Sequence, residues 1–323
     1  MQDQFERRIE YLRISITDRC NLRCQYCMPA SGVKWLPHEE ILSFEEIERL
    51  VKISTSLGFK RFRLTGGEPL VRKGIVDFIG RVSRIPDVED LMLTTNGIFL
   101  PEMAFELKAA GLNRVNISLD TFDPDRFREI TRGGDVDKVL QGIFRSLEAG
   151  LNPVKINVVV DRSYNLLELP KFLELARNYP IDVRFIELMP IGISSDHREE
   201  FVPIAEMKEI MGLQDLEPQK IGLGSGPAEY IETEGFLGNI GFISALSRHF
   251  CNTCNRIRLT ADGKLRPCLH SPKEINLREA LRNGSSDDEV ADLFAQTVFN
   301  KPAEHHMNDE AWQGSRMMSQ IGG

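Results

Sequence analysis

Six cysteines fall into two groups of three. The first is Cys20-Asn-Leu-Arg-Cys24-Gln-Tyr-Cys27, a C-x3-C-x2-C spacing. A loop this compact can turn three thiolates toward one centre, and thiolates favour soft metals and iron–sulfur clusters. A structural zinc site usually takes four protein ligands, and this loop has no fourth cysteine; the closest histidine is His38. A four-iron cluster held by three cysteines keeps one iron open, which means reactivity rather than a purely structural role. The second group, Cys251-Asn-Thr-Cys254 with Cys268, has C-x2-C-x13-C spacing. His249 and His270 flank it, so its spacing suits a Cys3His zinc site and an iron–sulfur cluster equally well.

These groups need elements to position them. Short runs rich in Val, Ile, Leu and Phe predict strands at Leu12–Thr17, Phe62–Thr65, Leu91–Thr95, Val115–Leu119, Val154–Val160 and Val183–Leu188. Helical patterns lie between them. Ser43-Phe-Glu-Glu46 is a capping box ahead of Ile47, Leu50, Val51 and Leu57, while Gly58, Gly111 and Gly150 stand where C-cap glycines belong. The alternation predicts βαβ units and a parallel sheet. Six repeats are too few for a closed eight-stranded barrel, leaving an open partial barrel or a doubly wound sheet, between which periodicity does not decide. Polar motifs sit at the carboxyl ends of the strands: Cys20, Gly66-Gly-Glu-Pro69, Thr94-Thr-Asn-Gly97, Ser118-Leu-Asp120 and Glu187-Leu-Met189. In parallel α/β folds that edge is the ligand-binding face.

After Pro190 the alternation stops and Gly and Pro become frequent, so a boundary is expected there. Gly222-Leu-Gly-Ser-Gly-Pro227 lacks the Lys-Ser/Thr ending of a phosphate-cradling loop and reads as a surface loop. The adjacent His305 and His306, ahead of a polar stretch, read as surface residues. Among 323 residues, 41% are hydrophobic and 27% charged, with net charge −8. Such a chain can build a large core, and it offers no global basic field for nucleic acid or an anionic membrane. The polar N-terminal residues and the lack of any long apolar run predict a cytoplasmic protein. In that reducing compartment, clustered cysteines are metal ligands before they are disulfides.

The first triad, with Tyr26 just before its last cysteine and Gly66-Gly-Glu-Pro69 after the second strand, resembles the radical S-adenosylmethionine superfamily. The resemblance implies a partial (β/α)6 parallel barrel over residues 1–190, with an α+β extension over 191–323 that closes it. It also implies that the open iron chelates S-adenosylmethionine, which a reduced cluster splits into methionine and a 5′-deoxyadenosyl radical. Within the superfamily, Leu12–Asp18, Arg184–Met189, Cys251–Arg258 and the terminal Gly322-Gly323 are similar to the GTP 3′,8-cyclase family of molybdenum cofactor biosynthesis.

That similarity implies two 4Fe-4S clusters, the second on Cys251, Cys254 and Cys268 with its open iron toward guanine. It assigns Tyr26, Gly67, Ser118 and Met189 to S-adenosylmethionine, and Arg13, Arg63, Thr94, Lys155, Arg256 and Arg258 to GTP. Independently of any family, guanidinium forks suit a triphosphate, and Arg13, Arg63 and Arg184 lie within apolar strands where a charge needs a partner. Arg256 and Arg258, with Gly322 and Gly323, are expected to act in catalysis by positioning the substrate. The implied partners are GTP, an electron donor such as flavodoxin or ferredoxin, a second copy in a homodimer, and the cyclic pyranopterin monophosphate synthase that takes the product. The competing reading within the superfamily is a peptide-modifying enzyme with an auxiliary cluster.

Overall fold

The computed structural model describes residues 1–192, 198–219, 226–307 and 316–322. Gly323 and residues 222–225 of the glycine-rich stretch lie outside the described residues. The six expected strands form, with ends within two residues of the expected ones: β1 (Tyr11–Ser15), β2 (Arg61–Thr65), β3 (Asp90–Thr95), β4 (Arg114–Ser118), β5 (Val154–Val160) and β6 (Ile181–Glu187). Six later strands follow: β7 (Pro218–Gln219), β8 (Glu229–Ile231), β9 (Ile240–Ile243), β10 (Arg256–Leu259), β11 (Lys264–Arg266) and β12 (Ile275–Asn276). All twelve belong to one sheet, ordered β12-β11-β10-β1-β2-β3-β4-β5-β6-β9-β8-β7.

That order decides the fold. Strands β1 to β6 follow one another in space as in sequence, all parallel. Each right-handed crossover therefore advances in the same direction and puts its helix on the same face, so the sheet curls into a partial barrel. A doubly wound sheet needs a reversal of strand order, and none occurs here. Strands β10 and β9 extend the parallel set at its two edges, pairing with β1 and β6.

The helices are α1 (Phe44–Ser56), α2 (Ile75–Val82), α3 (Leu100–Ala109), α4 (Pro124–Thr131), α5 (Val136–Glu148), α6 (Leu169–Asn178), α7 (Ile204–Ile210), α8 (Leu277–Arg282), α9 (Asp287–Phe299) and α10 (Met318–Ile321). The Ser43–Glu46 capping box starts α1, as its sequence requires. Gly58, Gly111 and Gly150 take positive φ after α1, α3 and α5. Phe44 of α1 stacks on Phe78 of α2 at 4.3 Å, and Phe294 of α9 meets Phe59 edge-on at 6.0 Å. The helix from the far end of the chain thus shares the core of the first repeat.

Alternation along the strands separates two environments. Leu12, Ile14, Phe62, Leu64, Leu91, Leu93, Val115, Ile117, Ile156, Val158, Val183 and Phe185 point outward into the core beneath the helices. Each fully buried side chain of this kind stabilises the fold by about 1.5–3 kcal/mol. Their neighbours Tyr11, Arg13, Arg63, Thr94, Asn116, Ser118, Asn157 and Arg184 point inward and line a cavity. A strand buried on both faces reads as continuously apolar; here the polar residue at every second position marks a lumen.

Candidate active site

The first triad is held by the other strand-end motifs. Gly67 and Glu68 donate backbone hydrogen bonds to the carbonyls of Thr17 and Arg19, both at 2.8 Å, just ahead of Cys20. A Cβ on Gly66 would stand 2.6 Å from the Thr17 carbonyl oxygen, and one on Gly67 2.3 Å from that of Arg19. The two glycines are therefore required by close approach of backbone to backbone. The Glu68 carboxylate accepts from Thr95 Oγ1 at 2.7 Å and from the backbone N–H of Asn96 at 2.7 Å. Asn96 Nδ2 in turn donates to Asn21 Oδ1 at 2.8 Å. From the other side, Tyr26 donates to Asp120 Oδ2 at 2.8 Å. Cys20, Gly66–Pro69, Thr94–Gly97 and Ser118–Asp120, separate in sequence, form one hydrogen-bonded frame. A Gly67→Ala variant is expected to lose about 1–3 kcal/mol of stability through this clash, with its bound iron falling in parallel; thermal unfolding and iron analysis measure both.

Burial pushes the Cys20 thiol up to about 12 and Cys27 to about 11, and raises Cys24 well above its ordinary value. Three such thiols around one cavity are poor thiolates on their own. A coordinated metal deprotonates them outright, so the donor set fits a metal centre better than it fits free thiols. The same burial raises Glu68 to about 7 from an ordinary 4.5. Its proton is held to higher pH in the folded chain than in the unfolded one, so this stabilisation is present below about 4.5 and lost as pH rises through about 7. The size is of order 3 kcal/mol. Denaturant unfolding of metal-free protein between pH 5 and 8 is expected to show that fall, and Glu68→Gln to flatten it.

Below the triad the lumen is basic. Arg13 lies opposite Arg63 on one neighbouring strand and Arg258 on the other, and Arg256 lies opposite Tyr11. Arg63 donates to the Tyr11 hydroxyl and to Thr94 Oγ1 at 3.3 Å, Arg184 to Asn157 Oδ1 at 2.5 Å. Among the described residues, Arg63, Arg184, Arg256 and Arg258 make no salt bridge. Burial and the neighbouring Arg256 bring Arg258 down to about 10. Arg184 Nε and Asn116 Oδ1 are buried without a hydrogen-bond partner among the described residues. Clustered cations and orphaned polar atoms are costly unless a ligand completes them; a polyanion with a polar ring system would do so. Lys155 differs. It is buried against Asp182 at 2.7 Å and the Tyr230 hydroxyl at 2.9 Å, and burial lowers it to about 8 despite Asp182. The structure does not bring it to the cavity lining.

The second triad closes the opposite wall. Buried Arg7 fixes its loop, donating to the Cys251 carbonyl at 2.7 Å while its Nε pairs with Asp3 at 2.6 Å. Burial raises Cys251, and would raise Cys254, but Arg256 and Lys301 outweigh it there and bring that thiol to about 6. Lys301 is itself buried, donating to the carbonyls of Arg256 at 2.9 Å and Pro267 at 2.7 Å. His305 corrects an expectation: it is buried beside this triad rather than at the surface, its Nε2 2.8 Å from the Ala245 carbonyl, while His306 is exposed.

The tail enters the same space. Ser319 of α10 hydrogen-bonds Cys27 through its backbone, and Arg258 donates to the Gly322 carbonyl at 2.7 Å. Gly322 has φ +72°, and a Cβ there would meet Thr65 Oγ1 at 2.4 Å. Ile191, Met307 and Ile321 form a small apolar cluster with Met189, Leu246, Leu269 and Met318 beside it.

One cavity of about 310 Å3 results, lined by both triads, by Tyr26, Gly67, Ser118 and Met189, and by Arg13, Arg63, Thr94, Arg256 and Arg258. Sequence reasoning missed Asn116, Asn157, Lys301 and Ser319. For the two asparagines a signal existed: polar residues at the inward parity of apolar strands. For Lys301 and Ser319, far along the chain, there was none.

A family model described as the Radical SAM superfamily matches residues 14–176, and one described as Molybdenum Cofactor Synthesis C matches residues 181–307. The chain is 56% identical to the GTP 3′,8-cyclase of Heliobacterium modesticaldum over 330 residues, 53% to that of Moorella thermoacetica over 324 and 52% to that of Syntrophomonas wolfei over 327. Each match covers 100% of both chains. Among solved structures, Streptococcus suis SuiB bound to S-adenosylmethionine superposes with TM-score 0.63 at 14% identity, covering 92% of this chain and 65% of that one. SuiB bound to its precursor peptide SuiA gives TM-score 0.64 over 92% and 66%. At that identity the likeness concerns the fold.

Proposed function

The chain belongs to the GTP 3′,8-cyclase family within the radical S-adenosylmethionine superfamily, and from that premise we propose how its residues divide the work. The enzyme converts GTP to (8S)-3′,8-cyclo-7,8-dihydroguanosine 5′-triphosphate, the first step of molybdenum cofactor biosynthesis. A 4Fe-4S cluster and S-adenosylmethionine belong to the superfamily's chemistry. When bound, the cluster supplies the electron that splits S-adenosylmethionine and so yields the radical that takes the 3′ hydrogen of the ribose.

In our reading Cys20, Cys24 and Cys27 hold that cluster, and Tyr26, Gly67, Ser118 and Met189 contact S-adenosylmethionine. Cys251, Cys254 and Cys268 hold a second 4Fe-4S cluster. The observation that carries this division is that both triads line one cavity, on either side of a lumen rich in arginine. Arg13, Arg63, Arg256 and Arg258 bind the triphosphate by charge-assisted, forked hydrogen bonds. Thr94 adds a hydroxyl. Lys155 acts from beneath by keeping Asp182 neutralised, so that this carboxylate does not oppose the arginines. Gly322, with Gly323 after it, holds Arg258 in place for catalysis. The apolar cluster around Met189 excludes water from the reacting atoms.

We further read residues 1–190 and 191–323 as two working units, the later one adding strands to both edges of the earlier. The enzyme works in the cytoplasm as a homodimer; among the described residues no helix is long and apolar enough to cross a membrane. A flavodoxin or ferredoxin supplies electrons, and the product passes to the cyclic pyranopterin monophosphate synthase.

The test is incubation of anaerobically reconstituted protein with S-adenosylmethionine and dithionite, with and without GTP. GTP-dependent release of 5′-deoxyadenosine, together with a chromatographically distinct isomer of GTP, is the expected result. Cleavage indifferent to GTP would count against the substrate assignment.

A further inference from the structure

Beside the second triad stands a tighter group of ligands. One donor atom from each of His249, Cys251 and His305 lies within 4.8 Å of the other two. Neither Cys254 nor Cys268 belongs to this group. The imidazoles of His249 and His305 lie face to face, with centroids 4.4 Å apart and planes 29° apart. The backbone N–H of His305 reaches the Cys251 sulfur, and His305 Nε2 lies 2.8 Å from the Ala245 carbonyl. A ring nitrogen held by a backbone carbonyl is the usual support of a metal-ligating histidine, because it fixes the tautomer and orientation of the ring. The other nitrogen, Nδ1, accepts a long hydrogen bond of 3.4 Å from the Met307 backbone N–H, which a bound ion displaces. Cys251 and His305 are buried while His249 is exposed, so the group is anchored on two sides and reachable from the third.

We propose that His249, Cys251 and His305 bind a single borderline-soft divalent ion, with Zn2+ as its natural match, whenever the second cluster is not assembled, and that ion and cluster exclude each other through Cys251. Two imidazoles and one thiolate at this mutual distance suit a tetrahedral zinc ion, with one position left for water or for His270, whose ring lies 6.0 Å from that of His305. This differs from the Cys3His zinc site that the spacing of Cys251, Cys254 and Cys268 suggests, because it needs one of those cysteines rather than three. Occupancy of the second cluster would then depend on zinc as well as on iron supply. The exclusion rests on the assignment of Cys251 to the second cluster; the ion site itself does not.

With only six cysteines in the chain, the variant C20S/C24S/C27S/C254S/C268S keeps Cys251 as its sole thiol. Titrated with Co2+, it is expected to show a sulfur-to-cobalt charge-transfer band with tetrahedral d–d absorption at one equivalent, abolished by adding H249Q or H305Q. No band, or a band indifferent to both histidines, overturns the site. In case the fivefold variant does not fold, C20S/C24S/C27S loaded with one equivalent of Zn2+ serves for X-ray absorption. One sulfur and two imidazoles around zinc are expected, and three sulfurs overturn the site. The same variant, offered iron and sulfide, is expected to take up about four irons when zinc-free, as one four-iron cluster requires, and almost none when zinc-loaded. Iron uptake unaffected by bound zinc overturns the exclusion. Absence of iron uptake without zinc refutes the second cluster and the exclusion with it, leaving the cobalt spectra to decide the ion site.

Discussion

A Cys20→Ser variant is expected to release no 5′-deoxyadenosine above background, while keeping its fold and about half of its iron. Three thiolates hold three irons of a four-iron cluster and leave a single one open, so there is no spare ligand to take the place of the one removed. Serine matches cysteine in size but offers a hard oxygen whose proton a soft iron centre does not displace. The fold should survive because the Cys20 sulfur has only weak partners: the Leu22 backbone N–H at 3.4 Å, Asn96 Nδ2 at 3.9 Å and Asn21 Oδ1 at 4.0 Å. The frame made by Gly66–Pro69, Asn96 and Tyr26 does not depend on it. Residual iron would report the second triad, which lies across the cavity and is anchored separately by Arg7. Wild-type nucleoside release from this variant would remove the first triad from the catalytic role.

The second large effect concerns the tail. Gly322→Ala is expected to lower cyclised product by about a hundredfold, the scale reached when a reacting group is misplaced by about 1 Å. Release of 5′-deoxyadenosine should fall far less. A methyl at this position cannot be accommodated, because φ is +72° and the added carbon would stand 2.4 Å from Thr65 Oγ1 and 3.1 Å from Ser15 Cβ. The tail must shift, and the Gly322 carbonyl then leaves Arg258, which lies beside Arg13 in the sheet. Freed of that carbonyl, a guanidinium crowded by like charges moves away from its place in the cavity lining. Deleting Gly322 and Gly323 should act in the same way. Chromatography of product against nucleoside separates the two readouts, and an equal loss of both would argue for a general structural role of the tail instead.

Several parts of this site could be read before folding because the constraint behind each is local. Three cysteines within eight residues can only serve one centre. Strand ends and helix caps follow from short-range patterns such as Ser43–Glu46 and the C-cap glycines, and all six early strands lie within two residues of where those patterns put them. Even the lumen was partly written in the alternation of strands, since Arg13 and Arg63 interrupt apolar runs at one parity. Tertiary structure added what depends on lateral register and on residues far apart. No pattern within β1, β2 or β10 says that Arg13 lies between Arg63 and Arg258, because hydrogen bonding between strands sets that neighbourhood. Lys155 looks like the lumen arginines in sequence, yet pairing with β6 puts Asp182 beside it and draws its charge away from the cavity. His305 reads as a surface residue because its neighbours are polar, and is buried because the chain returns there to close the second triad. Spacing along the chain limits which groups can share a centre, whereas burial and charge compensation belong to whichever segments the fold brings alongside, and those are decided only when the sheet closes around them.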